Sequence, residues 1–186
     1  IDLVCETKTP IVPTFTFQAN LADFGEIIGA SSDYKEIFRK EIVDNCEIFK
    51  KIHDAGVPLL CGTESGFSMT PYGEWHYREL EVFVNDIGMS NLESIVCATK
   101  NASKAMKMEG EVGTLENGML ADILILDENP LNDITVLGDK SKISSIILNG
   151  NEVDRTKPEP EITPPQGWRL SPYSDKILTQ KVAKNR

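Results

Sequence analysis

The sequence predicts an α/β unit followed by a separate all-β segment. Three observations carry that expectation. A continuous apolar run, VPLLC at residues 57–61, lies between Gly56 and Gly62 and reads as a fully buried strand. Before and after it, apolar residues recur every three or four positions, the period of amphipathic helices. From Gly113 onward the period changes to two, as strands require. The order β, α, β, α, α, then short strands alone, describes an α/β body ending in a small sheet.

Each element has its own justification. Residues 1–9 read as the end of a short helix. Residues 10–17 (PIVPTFTF) are rich in β-formers and follow a Thr-Pro turn signal, so a strand is expected there, with its prolines near the start. Residues 18–33 are polar, with Gly25, Gly29 and a Ser-Ser-Asp run, and read as a loop with room for a short helix. A clear helix spans 34–55, with Phe38, Ile42, Cys46, Phe49 and Ile52 as its apolar stripe and Gly56 as its stop. After the strand at 57–61 comes a polar cluster, Gly62-Thr63-Glu64-Ser65-Gly66, and a loop to Gly73. The next helix carries Leu80, Phe83, Val84 and Ile87 and ends at Gly88. Its successor opens with a capping box, Ser90 with Glu93. Leu92, Ile95, Val96, Thr99 and Met106 are expected on its inner face. Residues 121–126 and 143–148 read as buried strands. Asn149-Gly150 is a hairpin turn and residues 151–155 the returning strand. Gly113 and Gly118 read as turn glycines, since no Lys-Ser/Thr follows to make a phosphate loop.

Composition narrows the function classes. The chain has 186 residues, of which 40% are hydrophobic and 26% charged, a folded rather than a disordered balance. No apolar run approaches the roughly 20 residues of a membrane helix. The net charge of -10 argues against a nucleic-acid surface. Half of the ten prolines fall in residues 156–172, expected to be extended or loosely packed, with Trp168 and Tyr173 able to pin this tail to the body. Lys176, Lys181, Lys184 and Arg186 read as a solvated basic end. Cys5, Cys46, Cys61 and Cys97 have long, irregular spacings that suit neither zinc nor a disulfide framework, so free thiols are expected. The chain begins Ile-Asp-Leu, with neither an initiator Met nor a signal-like segment, so a preceding or cleaved region is expected. Free thiols favour a reducing compartment, and a cytoplasmic location is expected.

Three motifs in order carry a resemblance. AGVPLLCGTESG (residues 55–66) is similar to the AGV…GTD strand of amidohydrolase-superfamily barrels. PYGEWHYRELEVFVNDIGMSNLESIVCATKNASKAMKM (residues 71–108) resembles the helix pair that follows that strand. VGTLENGMLADILILDENPLNDI (residues 112–134) resembles the segment leading into the family's β-sandwich. The match covers roughly residues 1–155. The imidazolonepropionase-like and Xaa-Pro or Xaa-Arg peptidase-like branch is the nearest in look.

The resemblance implies the C-terminal half of a (β/α)8 TIM-type barrel followed by strands of a small β-sandwich. Residues 10–17 and 57–61 would be strands seven and eight. The domains expected are 1–110 for the barrel part, 111–155 for the sandwich strands and 156–186 for the Pro-rich tail. It implies a divalent metal, most commonly zinc, with one or two ions in the complete enzyme. The earlier histidine ligands of the family are absent from this stretch, so a missing N-terminal barrel half is expected, in the same or a companion chain. An open edge at residues 10–17 would otherwise invite pairing. Homo-oligomers are also compatible with the family.

Glu64 stands where the family has its strand-eight Asp, which touches the metal and moves the proton. It is therefore the expected metal ligand and catalytic acid–base. The extra methylene extends the carboxylate by about 1.5 Å, a C–C bond length, and catalytic placement is sensitive at that scale. Tyr72 and His76, on the loop overhanging the mouth in the family, are expected substrate contacts, with Trp75 either beside them or in the core. Thr63 and Ser65 would orient the acid or make ordinary turn bonds. Thr14, Thr16 and Gln18 would point toward the mouth from strand seven. His53, near a helix end, reads as a surface residue favoured by the helix dipole. The expected reaction is hydrolysis of an amide-like C–N bond in a small molecule such as a dipeptide or an N-acyl amino acid. The alternatives are a non-catalytic structural or binding barrel piece and a heterocycle deaminase of the same superfamily.

Overall fold

The structure, a computed structural model, describes residues 1–158, 174 and 176–184. Trp168 and Tyr173, and with them the expectation that they pin the tail, lie outside the described residues. Helix α1 (Asp2–Thr7) ends at Lys8 in the left-handed region, φ 55°. The chain then meets the segment 57–61 in parallel. The Ile11 N–H donates to Pro58 O at 3.1 Å and the Leu60 N–H to Ile11 O at 2.9 Å, forming one bridge between Ile11 and Leu59.

The expected strand over 10–17 is thus cut short, because helix α2 (Thr16–Phe24) begins inside it. Pro10 and Pro13 have no N–H to extend a ladder. Thr14, at φ 63°, turns the chain, and the amides of Phe15 and Thr16 are taken by a carboxylate instead of a neighbouring strand. The expected loop over 18–33 is mostly helical, with α2 followed by a 3-10 turn at Gly25–Ile28.

Helix α3 (Asp33–Asp54) buries Ile42, Cys46 and Ile52, and Gly56 stops it at φ 76°. The expected fully buried strand over 57–61 is reduced to the single bridge at Leu59. Val57 and Leu59 are almost fully enclosed, while Pro58, Leu60 and Cys61 are half-buried, because Pro10 and Pro13 leave the neighbouring segment no N–H with which to extend the pairing. Helix α4 (His76–Val82) continues into a π-turn at Phe83–Ile87, and Gly88 ends the pair at φ 86°. Helix α5 (Asn91–Ala98) has the expected capping box, with Ser90 N–H donating to Glu93 Oε2 at 2.8 Å. A break at Thr99 separates it from α6 (Lys100–Ala105).

The inner face of this helix pair differs from the expected one. Leu92 and Met106 are exposed, and Ser94, Cys97 and Ser103 are buried. Close approach explains it. The Cys61 N–H donates to Cys97 O at 3.3 Å and Asn101 Nδ2 to Leu59 O at 3.2 Å. Helices this near a strand accept small residues at the contact, and larger ones are displaced outward.

The all-β segment forms a three-stranded antiparallel sheet in the order β1 (Ile123–Leu126), β2 (Ile143–Leu148), β3 (Asn151–Glu152). Asn149 and Gly150, at φ 49° and 77°, make the hairpin turn the sequence predicted. These strands are not buried as expected. Leu124, Ile125 and Leu148 are 44%, 44% and 60% exposed, because only part of the sheet's two faces meets other residues of this chain.

The C-terminal segment is docked. Leu178 is fully enclosed, its carbonyl accepts from Trp75 Nε1 at 2.7 Å, and its N–H donates to Ser68 O at 2.7 Å. Helix α7 (Gln180–Lys184) follows, anchored by Gln180 N–H donating to Glu74 Oε2 at 2.9 Å. Lys176, Lys181 and Lys184 keep their charges in solvent as expected, while the backbone carrying them is held.

Candidate active site

The buried segment 57–61 delivers Glu64 at its C-terminal end. Residues 64–70 then form a tight loop. The Gly66 N–H donates to Thr70 O at 2.9 Å, the Thr70 N–H to Phe67 O at 3.1 Å, and Thr70 Oγ1 to Glu64 O at 2.9 Å. Glu64 itself sits in the left-handed region, φ 49°. Such a backbone is uncommon for a long side chain and tolerated best by Asn and Asp. The Glu64 side chain is exposed, and its carboxylate has no hydrogen-bond or ion-pair partner among the described residues. Thr63 and Ser65 bond to each other, Oγ1 to Oγ at 2.7 Å, which is turn chemistry.

The expected substrate contacts occupy different surroundings. Tyr72 is 76% exposed and its hydroxyl lies over Gly66, where an added Cβ would stand 3.3 Å away. Gly66 is also at φ 122°, a backbone conformation that strains any side chain placed there. His76 is exposed and lines a groove of about 520 Å³ with Tyr77, Gly138, Lys140, Ile143 and Arg155. Trp75 belongs to the core. It is 2% exposed and stacks on Tyr77 at 6.1 Å. His53 approaches Glu93 at 3.8 Å near the end of α3.

The residues at the end of segment 10–17 do structural work. Thr14 Oγ1 donates to Val12 O at 3.5 Å. Gln18 has a buried side-chain oxygen without a hydrogen-bond partner among the described residues. Thr16 is fully buried, and its hydroxyl donates to Glu79 Oε2 at 2.7 Å. That same carboxylate accepts from Phe15 N–H at 3.0 Å and Thr16 N–H at 2.8 Å. Glu79 therefore caps α2 from α4. Burial raises its pKa to about 7, against hydrogen bonds from Phe15, Thr16 and the Thr14 backbone, which favour the charged form. The sequence did contain a sign of it. Glu79 precedes Phe83 by four and Ile87 by eight, so an acid stands in the row of the apolar stripe.

Nearby groups are equally constrained. Burial, then the Glu79 charge, pushes the Cys61 thiol up to about 12, so it is neutral at ordinary pH and no nucleophile. Burial works against the Arg78 charge, but the carboxylates of Glu81 and Asp23 outweigh it and hold its pKa above the ordinary guanidinium value. All four cysteines are free. Among the described residues no three His, Cys, Asp or Glu side chains converge as a metal-holding group. No described helix is long and apolar enough to cross a membrane.

Comparison with known proteins sets this geometry in a family. The amidohydrolase family model matches residues 20–153. Ochratoxinase of Aspergillus niger is 34% identical over 97 residues, covering 52% of this chain and 19% of that protein. The structure resembles a putative prolidase from Bifidobacterium longum, with a TM-score of 0.67 and 27% identity over 82% of this chain and 37% of the other. It also resembles a Xaa-Pro dipeptidase with methionine bound in its active site, at TM-score 0.65 and 26% identity over 82% and 36%. The chain thus spans about a fifth of the curated relative and little more than a third of these structures. A family match over most of its length identifies this chain as a member of the amidohydrolase family.

Proposed function

We propose that this chain is the closing segment of an amidohydrolase barrel, with residues 10–17 and 57–61 as its seventh and eighth strand positions. In this reading the complete enzyme hydrolyses an amide-like C–N bond, and Glu64 handles the proton. The carrying observation is Glu64 at the end of a buried parallel segment, on a loop whose backbone is fixed by three hydrogen bonds. Catalytic groups of such barrels stand at the C-terminal ends of strands. The prolidase, dipeptidase and ochratoxinase likenesses support an amide substrate.

The chemistry asked of Glu64 is general acid–base catalysis. A water oxygen bonds to the amide carbon while the carboxylate accepts the water's proton. The same carboxyl then donates that proton to the departing nitrogen as the C–N bond breaks. An exposed carboxylate with no partner among the described residues is available to do so. Tyr72 and His76 are the proposed substrate-side groups, and a dipeptide or N-acyl amino acid is the proposed substrate class.

The family also implies a divalent metal, with zinc as the proposed ion. The described residues alone do not fit one, since Glu64 stands without a second or third donor. A metal would take its remaining ligands from the missing barrel half, in the same or a companion chain.

A substrate panel tests the reading. Dipeptides and N-acyl amino acids assayed against aminated heterocycles with the complete enzyme should give amide hydrolysis. Release of ammonia from the heterocycles alone would replace it with a deaminase. No turnover of either class would favour a non-catalytic barrel piece.

A further inference from the structure

We propose that Glu79 is the positioning residue of the Glu64 loop, acting through helix α2; the catalytic part of this inference rests on the reading of Glu64 above. Glu79 is fully buried and has no cationic partner of its own among the described residues, an expensive arrangement that an apolar side chain would avoid. What it gains is the start of α2. Phe15 has no cap of its own, and the Glu79 carboxylate takes the amides of Phe15 and Thr16 and the Thr16 hydroxyl. Above about pH 7, where this carboxyl ionises, its negative charge also matches the helix dipole.

The residue before it holds the other end. Arg78 donates to Asp23 Oδ2 at 2.5 Å and lies over the Phe24 ring at 5.7 Å. Asp23 is further tied to Arg39 of α3. Adjacent residues of α4 thus grip both ends of one nine-residue helix, with the cation at its negative end.

Helix α2 in turn holds the loop that follows Glu64. Fully buried Asn20 donates from Nδ2 to Met69 O at 2.8 Å. Phe17 meets Phe67 edge to face at 6.2 Å. Met69 and Phe67 belong to the loop whose Thr70 hydroxyl bonds the Glu64 carbonyl. A continuous line of contacts therefore runs from Glu79 through α2 to the backbone of Glu64. Loosening its first link releases the last.

Amide hydrogen exchange in the complete enzyme reads this directly. In Glu79→Gln, one acceptor oxygen becomes an NH2 that faces backbone donors. Exchange at the amides of Thr16, Gly66 and Thr70 should then accelerate by about tenfold or more. On the dipeptide panel, kcat should fall by about tenfold with KM within about twofold. Faster exchange confined to Thr16, with Gly66 and Thr70 as in wild type, would overturn the proposal. If Glu79→Gln does not fold, Thr16→Val removes one donor and should speed the same three amides more mildly; unchanged loop amides there would also overturn it. Glu64→Gln separates the two readings. It should abolish turnover and leave exchange at Gly66 and Thr70 unchanged. Turnover retained in that variant defeats the Glu64 reading while the exchange result for Glu79 stands.

Discussion

At the scale of single residues, Glu79 is the most consequential group, and its pH behaviour follows from its burial. Its folded pKa is raised to about 7 from an ordinary 4.5. Between these values the native state holds a proton that the unfolded chain has lost. Its contribution is therefore fully present below the unfolded pKa and declines as pH rises toward about 7, by about 1.4 kcal/mol per unit. Cys46 and Cys61 also feel its charge, but burial keeps both thiols neutral in this range. Denaturant melts of wild type and Glu79→Gln from pH 4.5 to 7.5 should show this slope only in wild type. Parallel curves would contradict it. Glu64 has a different constraint. Its left-handed backbone suits Asp better than Glu, so the long carboxylate stands against local backbone preference. Glu64→Asp should relax the backbone yet withdraw the carboxylate by about 1.5 Å. A loss of about tenfold in kcat/KM is expected, and equal kcat/KM would show that side-chain length is not set by the chemistry.

At the scale of elements, the C-terminal segment is the largest difference from the sequence reading. Leu178 has no surrounding apolar period that predicts burial, and it becomes a core residue only because Trp75 and Ser68 present a donor and an acceptor to its backbone. Leu178→Ala should destabilise the protein by about 2–5 kcal/mol, read from the shift in its denaturant midpoint. A shift near zero would mean the segment is not docked in solution. Elements with local instructions were legible: α3 from its stripe and Gly56, α5 from Ser90 and Glu93, the hairpin from Asn149-Gly150. Helix α2 was legible only as an allowance within a loop, because its cap comes from Glu79, 63 positions beyond Thr16. The inner face of α5 was misread because proximity to the strand, a tertiary fact, favours Ser94 and Cys97 over Leu92. Glu64 stood out in the sequence through its resemblance to the family's strand-eight Asp, whereas the contacts steadying its loop, from Thr70 and Asn20, carried no sequence signal.

At the scale of the whole molecule, what this chain leaves uncovered matters as much as what it buries. Leu124, Ile125 and Leu148 are exposed on a sheet of three short strands, and Ile11 pairs with Leu59 through a single parallel bridge. Open edges and apolar faces of this kind promote association. The isolated 186-residue segment should therefore be polydisperse by light scattering and hold no stoichiometric metal, whereas the complete enzyme should be monodisperse. A cooperative, monodisperse, metal-loaded segment would contradict the closing-segment reading. The central claim, that Glu64 performs the proton work of an amidohydrolase, is tested most directly by turnover of the complete enzyme carrying Glu64→Gln on its best dipeptide substrate. Turnover should fall by about a hundredfold or more, with the fold and the exchange of the loop amides intact. Undiminished turnover would contradict it.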